Sequence, residues 1–257
     1  MAMMAFVATG FAQKKLVLYF SETQTTQKVA LALQKQLSLP DKAVVAIELV
    51  EPYTGNMMET MQRAQREKQP ALKPLKAKIA DYDIIFLGYP IWSGTYALPI
   101  ASLLKQEDFA GKTIVPFCTF GSGGLESSMA DLKKALPKAT IKPGYGVRQA
   151  RVASATKELD RFLKENGYVA GKVKALPAYS AQQPVTDAEK AIFDAACSSY
   201  QFPLGTPQTF GKRTTDDSID YEFKVKSQGF GGGGESTIYV TMGKEAGAKP
   251  EFTRVVR

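Results

Sequence analysis

The chain has 257 residues, of which 44% are apolar, 10% aromatic and 23% charged, and its formal net charge is +8. This composition is typical of a globular protein with one large domain or two smaller ones, and it excludes global disorder. The sequence has no histidine and only two cysteines, Cys118 and Cys197. A zinc site built by the protein and any triad or dyad that depends on histidine are therefore excluded.

The basic surplus lies in the first 173 residues, because acidic and basic side chains balance from Lys174 onwards. A basic surface favours anionic ligands, anionic membranes or nucleic acid, and the alternative is a solvated surface that binds none of these. No cluster of Lys and Arg with interleaved aromatic residues is present, so nucleic-acid binding is not expected. No later apolar run reaches the ~18 to 20 residues of a membrane helix, so no transmembrane segment is expected either.

The N-terminal residues 1–12 are mainly apolar and end in Gly10-Phe11-Ala12. A small-x-small ending behind an apolar run is typical of a signal-peptide cleavage site. We therefore expect residues 1–12 to be the remnant of a signal peptide and the protein to be exported, either periplasmic or secreted. A cytoplasmic protein is the alternative, since the basic start of a complete signal is missing.

Short β-branched runs alternate with stretches of helical spacing between residues 13 and 172. The predicted strands are 16–20, 43–50, 83–88, 113–120 and 141–147, and the predicted helices are 26–37, 97–105, 125–136 and 156–166. The stretch 57–78 is polar and interrupted by Pro70 and Pro74. Five strands that alternate with helices predict an α/β domain with a parallel sheet covered on both faces.

A linker rich in Ala, Pro, Gln and Ser is predicted at 173–185, and a second domain at 186–257. Thr186 and Glu189 form a capping box before a helix, and period-two strands follow at 209–213, 219–226, 236–242 and 252–256. This order predicts a small α+β domain with one helix on an antiparallel sheet. The order alone resembles the cystatin-like arrangement, but the Gln-x-Val-x-Gly motif is missing, so a structural or partner-binding role is expected rather than protease inhibition.

Three segments follow the first, third and fourth predicted strands, where ligands bind in open parallel sheets. The first segment, residues 21–26, carries four hydroxyl side chains directly before a helix. Hydroxyls and the free amides of a helix N-terminus are suited to a phosphate group. The alternative is that Ser21 or Thr23 simply caps the helix.

The second segment, residues 89–96, contains Trp92, the only tryptophan of the chain, among Pro, Ser and Gly. An aromatic side chain in a loop beyond a strand suits a planar ligand, on which it can stack. The alternative is a tryptophan that pins the loop to the surface or covers the second domain. In the third segment, residues 119–124, glycines let backbone amides approach a ring edge, although a plain turn uses glycine as well.

Separated runs of the sequence resemble the flavodoxin family, in particular its short bacterial flavodoxin-like branch. These runs are 16–21, 47–53, 81–92 and 111–119, and the resemblance covers about 14–167. It implies a non-covalently bound FMN as cofactor, no metal, and no catalytic side chain. The positions that match the family's FMN-binding residues are Ser21, Thr23, Gln24, Thr25, Thr26, Pro90, Ile91, Trp92, Ser93, Thr119, Phe120, Gly121 and Gly124.

Gln24 departs from the family pattern, in which glycine is common at this position. If the position requires a positive φ, glutamine costs about 1 to 3 kcal/mol of strain. A second departure is the basic surplus, because electron-carrying flavodoxins are typically acidic. A cation near the flavin favours the anionic reduced ring, so the surplus predicts a less negative reduction potential.

The resemblance predicts an FMN-dependent oxidoreductase or electron-transfer protein with an unidentified electron donor and acceptor. The alternative is a non-catalytic binding module on a flavodoxin scaffold whose FMN affinity is weak or lost. For the second domain, two roles stay open besides partner binding: it covers the flavin, or it holds a homodimer together.

Overall fold

The structure is a computed structural model, and it describes residues 13–53, 56–67, 69–227 and 234–257. Residues 1–12, on which the expectation of export rests, lie outside the described part. Among the described residues, no helix is long and apolar enough to cross a membrane.

The N-terminal half forms a parallel sheet with the strand order β2-β1-β3-β5. Two short strands, β6 and β7, both pair in parallel with β5, and β4 pairs in antiparallel with the end of β3. The strands are β1 (Lys15–Tyr19), β2 (Val44–Ala46), β3 (Ile84–Trp92), β4 (Thr95–Tyr96), β5 (Thr113–Phe120), β6 (Thr140–Ile141) and β7 (Tyr145–Arg148). The predicted α/β class is confirmed.

Two predicted strands are shorter than the sequence pattern indicates. The second is reduced to Val44–Ala46: a 3-10 turn takes up its first predicted residue, and its last ones, 47–50, lie beyond the ladder with β1, where Leu49 forms an isolated bridge to Leu72. The fifth is divided into β6 and β7 by the Pro143-Gly144 pair. Proline has no amide hydrogen for the ladder, so the strand is interrupted there and resumes at Tyr145.

Helices cover both faces of this sheet. Buried side chains of α1 and α5 pack on one face, and those of α3 and α4 pack on the other, together with partly buried residues of α2. The helices are α1 (Thr25–Gln36), α2 (Met57–Arg66), α3 (Leu98–Gln106), α4 (Leu125–Ala135) and α5 (Ala155–Glu165). Helix α2 lies in the polar stretch before Pro70, where Asn56 caps it by accepting a hydrogen bond from the Met58 amide.

The C-terminal part forms an antiparallel sheet with the order β12-β11-β10-β9-β8, and helix α6 packs on it. These elements are β8 (Gln183–Pro184), α6 (Asp187–Cys197), β9 (Thr206–Thr214), β10 (Ser218–Ser227), β11 (Gly234–Gly243) and β12 (Glu251–Val256). Phe193 of α6 and Phe223 of β10 are in edge-to-face contact in its core, with centroids 5.2 Å apart. The predicted helix on an antiparallel sheet is confirmed, and β8 falls within the predicted linker.

Candidate functional site

The candidate site lies at the carboxyl ends of β1, β3 and β5, which are neighbours in the sheet. The chain leaves β1 towards β2 on one side and returns to β3 on the other, and ligands bind where strand order reverses in this way. The three predicted segments follow these strands. A buried hydrogen bond of 2.8 Å between the hydroxyls of Thr26 and Thr119 joins the first segment to the third.

Gln24 adopts a left-handed conformation, with φ 60° and ψ 2°, at the N-cap of α1. Its side chain makes no capping hydrogen bond. This is the positive φ that the glycine of the family pattern anticipates, and a non-glycine residue adopts it only at a cost in strain. The first segment therefore has a left-handed residue at the position where the family pattern has glycine.

The Ser21 hydroxyl is the polar atom of the first segment that the fold leaves unsatisfied. Its Oγ atom is buried and has no hydrogen-bond partner. The hydroxyls of Thr23 and Thr25 bond to each other at 3.0 Å, and Glu22 accepts a 2.5 Å hydrogen bond from Thr60 of α2. A buried hydroxyl without a partner costs free energy unless a ligand satisfies it.

A cavity of about 270 Å³ lies at the carboxyl ends of β1 and β2, and Ser21 is the one predicted site residue in its wall. Its walls include Ser21, Glu22, Tyr53 and Lys73. The Tyr53 hydroxyl is also buried without a partner. Burial, followed by the nearby Glu67 carboxylate, raises the pKa of Tyr53, so the phenol stays protonated and can donate a hydrogen bond. The sequence did not single out Tyr53 as a site residue.

The second segment is a β-hairpin and not a loop. Strand β3 continues through Trp92, and Ser93 and Gly94 turn the chain into β4 with φ of 50° and 84°. The expectation that Pro90, Ile91 and Trp92 lie in a loop is wrong. Two positive φ values suit a two-residue hairpin turn, whose twist matches that of the strands, and the Ser-Gly pair was the signal that could have revealed it.

Trp92 is only 7% exposed and belongs to the apolar core. Its ring centroid lies 5.8 Å from that of Phe20 and 5.4 Å from that of Tyr53, both at steep angles. We call Phe20, Tyr53 and Trp92 the aromatic cluster. The cluster shows that this tryptophan is packed without any ligand, and a planar ligand can stack on the indole only if part of the cluster moves. Stacking on Trp92 therefore stays a prediction.

The third segment lies close to the second and to the C-terminal sheet. Thr119 and Phe120 are buried at the end of β5. Gly124 has φ 112°, and a Cβ atom there would lie 2.7 Å from the Ile91 side chain. Gly121 accepts a 2.8 Å hydrogen bond from Arg148 through its carbonyl oxygen. Gly124 thus serves close packing between segments, whereas a Cβ atom at Gly121 would meet nothing within 4 Å.

The two cysteines are free and take no part in the site as nucleophiles. Burial raises the pKa of the Cys118 thiol far above its usual range and that of Cys197 to about 12. The reactive form of cysteine is the thiolate. Both side chains are therefore unreactive thiols at neutral pH.

The strand order, the helices on both faces and the three segments define a flavodoxin-like α/β protein. The family model of the flavodoxins matches residues 14–165, and the chain belongs to this family. The match ends before the C-terminal antiparallel sheet. No curated protein matches the chain.

The chain is similar to solved structures of bacterial flavoproteins. A protein of Bacteroides uniformis, named as a flavoprotein, is 25% identical with a TM-score of 0.50, over 58% of this chain and 99% of that chain. A similarly named protein of Bacteroides eggerthii is 28% identical with a TM-score of 0.46, over 57% of this chain and 98% of its own. A flavoprotein of Lactobacillus acidophilus in complex with FMN is 21% identical with a TM-score of 0.47, over 56% and 99% of the two chains.

Proposed function

We propose that the protein binds FMN non-covalently and acts as an FMN-dependent oxidoreductase or electron-transfer protein. The observation that carries this proposal is the Ser21 hydroxyl, which is buried without a partner in a residue that also lines the cavity. It lies four residues before helix α1, whose first turn contains no acidic side chain. Membership of the flavodoxin family supports the choice of FMN among phosphorylated ligands.

The first segment would hold the phosphate of FMN. The hydroxyls of Ser21, Thr23 and Thr25 and the first amides of α1 supply hydrogen-bond donors there, and the helix dipole favours an anion. The second and third segments would enclose the ring. Bound FMN supplies the electron transfer, because it can accept and release electrons at its ring system.

The chain's own residues position the cofactor and exclude water, and no side chain acts as a nucleophile. The absence of histidine leaves no side chain whose ordinary pKa lies near neutrality. The basic surplus of the first 173 residues supports a reduction potential less negative than that of acidic flavodoxins. A measured midpoint as low as theirs contradicts this part of the proposal.

A titration of the purified protein with FMN tests the proposal directly. Trp92 is the only tryptophan, so its fluorescence reports on the ring end of the site, and the visible absorption spectrum reports on the flavin. Riboflavin, which lacks the phosphate, is the matched control ligand. We expect FMN to bind and riboflavin to bind at least about tenfold more weakly, since one charge-assisted hydrogen bond is worth more than 1.4 kcal/mol.

The alternative function is a non-catalytic binding module with weak or lost FMN affinity. Two observations favour it: Gln24 is strained at φ 60°, and the aromatic cluster already covers Trp92. The same titration separates the two functions. If the protein is folded and millimolar FMN neither quenches the Trp92 fluorescence nor changes the flavin spectrum, the binding module is supported and the oxidoreductase is contradicted.

A further inference from the structure

The C-terminal sheet touches the third segment through its edge strand β12. The Val255 amide donates a 2.7 Å hydrogen bond to the Ser122 carbonyl oxygen. A Cβ atom at Gly123 would lie 2.2 Å from the Val255 carbonyl oxygen, so only glycine allows this approach. Strand β12 therefore packs directly on the backbone that follows β5.

Arg148, the last residue of β7, also joins the third segment to strand β12. Its Nε atom donates a 2.8 Å hydrogen bond to the Gly121 carbonyl oxygen, and its Nη1 atom donates one of 2.9 Å to the Phe252 carbonyl oxygen. Its guanidinium lies 4.2 Å from the centroid of the Phe252 ring. Arg148 is buried, with 8% of its surface exposed.

These contacts determine which way the amides of the third segment point. All peptide bonds of the described residues are trans, and in a trans peptide the carbonyl and the following N–H point in opposite directions. Because the Gly121 carbonyl faces Arg148 and the Ser122 carbonyl faces β12, the Ser122 N–H points away from the Arg148 guanidinium and the Gly123 N–H points away from β12. The hydrogen bonds of the described residues include none donated by these two amides.

We propose that the C-terminal sheet positions the third segment for the flavin: Arg148 and the Val255 amide hold two carbonyls so that the Ser122 and Gly123 amides donate to the ring edge. This inference rests on the proposed function and assigns a role to a part of the chain that lies outside the family match. Arg148 is a positioning residue, since it acts through the backbone of residues 121–123.

Fixed amide donors favour negative charge that develops beside them, and they need no reorganisation when it appears. Two such donors at the ring edge stabilise the reduced, more negative ring relative to the oxidised ring. The contact between the two sheets therefore affects the reduction potential as well as the affinity for FMN. A purely structural contact changes the stability of the protein without changing the potential.

Val255→Pro is the most direct test of this contact. It removes the Val255 amide donor, which bonds to Ser122 outside the ladder with β11, and it places the proline ring against the Ser122 carbonyl oxygen that the amide contacts at 2.7 Å. The matched control is Val255→Ala, which keeps the amide donor and shortens the side chain. We expect Val255→Pro to weaken FMN binding about three- to tenfold and to make the midpoint potential more negative, and Val255→Ala to change neither.

Arg148→Lys is the second variant, and it keeps the test valid if Val255→Pro does not fold. Lysine keeps the charge but cannot bond to Gly121 and Phe252 with a planar fork. Arg161→Lys is its control, because Arg161 bonds to Glu165 and the Lys174 carbonyl oxygen, away from the third segment. We expect the potential to shift in Arg148→Lys and to stay unchanged in Arg161→Lys.

The outcomes distinguish a failure of the positioning role from a failure of the proposed function. If the wild-type protein binds FMN and both Val255→Pro and Arg148→Lys keep its affinity and midpoint, the positioning role is wrong and the proposed function stands. If the wild-type protein does not bind FMN, the proposed function is wrong and the positioning role falls with it. Equal losses in Val255→Pro and Val255→Ala also overturn the positioning role, because they place the effect in packing.

Discussion

The first segment and the aromatic cluster border the same cavity, through Ser21 and through Phe20 and Tyr53, and they differ in how their side chains are satisfied. In the first segment, the Ser21 hydroxyl is buried without a partner. In the cluster, Phe20, Tyr53 and Trp92 contact one another and leave the indole 7% exposed. The first segment therefore keeps an unpaired polar atom, whereas the aromatic cluster is fully packed.

The difference has a physical reason. Apolar rings that lie within reach of each other bury their surfaces together, because this removes apolar area from water without any demand on direction. A hydroxyl needs a donor or acceptor at a defined distance and angle, and a rigid turn cannot always supply one. We therefore expect FMN binding to leave the first segment unchanged and to reorganise the aromatic cluster.

The largest effect is expected for Trp92→Ala. Truncation of a buried aromatic side chain costs about 3 to 5 kcal/mol, so the free energy of unfolding should fall by that amount in the absence of any flavin. Urea denaturation followed by circular dichroism measures it, with Trp92→Phe as the conservative control. A loss below about 1 kcal/mol contradicts the closed cluster and favours an indole that is open to a ligand.

Thr26→Val tests the hydrogen bond that joins the first segment to the third. The change leaves the buried Thr119 hydroxyl without its partner, which costs about 1 to 3 kcal/mol. In the double variant Thr26→Val/Thr119→Val no hydroxyl is left unpaired, so we expect it to recover part of this loss. The unfolding free energies of the wild type, Thr26→Val, Thr119→Val and the double variant give the coupling energy between the two hydroxyls. Strictly additive changes contradict the hydrogen bond.

Ser21→Ala separates ligand binding from stability. The free energy of unfolding should stay the same or rise by about 1 kcal/mol, since an unsatisfied buried hydroxyl is removed. FMN affinity should fall about tenfold, because a hydrogen bond to a charged group is lost. Ser102→Ala is the matched control: its hydroxyl is also buried without a partner, but it lies in α3. If Ser102→Ala lowers FMN affinity equally, the Ser21 hydroxyl has no special role.

The smallest effect is expected for Gln24→Gly. Glycine adopts positive φ without a steric penalty, so the variant should be stabilised by up to about 1 kcal/mol, partly offset by the higher entropy of the unfolded chain. Ser38→Gly is the control, because Ser38 has φ 51° just after α1 and lies outside the three segments. We expect both variants to gain stability and only Gln24→Gly to gain FMN affinity. A loss of affinity in Gln24→Gly contradicts a strained phosphate turn.

Local pattern was sufficient for the sheet but not for the second segment. The apolar runs identify the strands that form the parallel sheet. The glycine of the family pattern predicts the positive φ at Gln24. The hairpin of β3 and β4 was missed, because a strand that continues through Pro90 breaks the usual expectation for proline in a sheet. The burial of Trp92 is not predicted either. Pro90 places this tryptophan in a loop, and a loop residue is expected to have few neighbours.

The sequence by itself determined the parallel sheet, the hydroxyl-rich turn before α1, the helix on an antiparallel sheet, and the membership of the flavodoxin family, since these depend on local periodicity and short motifs. Only the tertiary structure decided that Phe20, Tyr53 and Trp92 close on one another and that β12 lies on the third segment. Arg148 and Phe252 are 104 positions apart in the chain. No local pattern encodes a contact at such a separation, because it depends on how two folded sheets pack together.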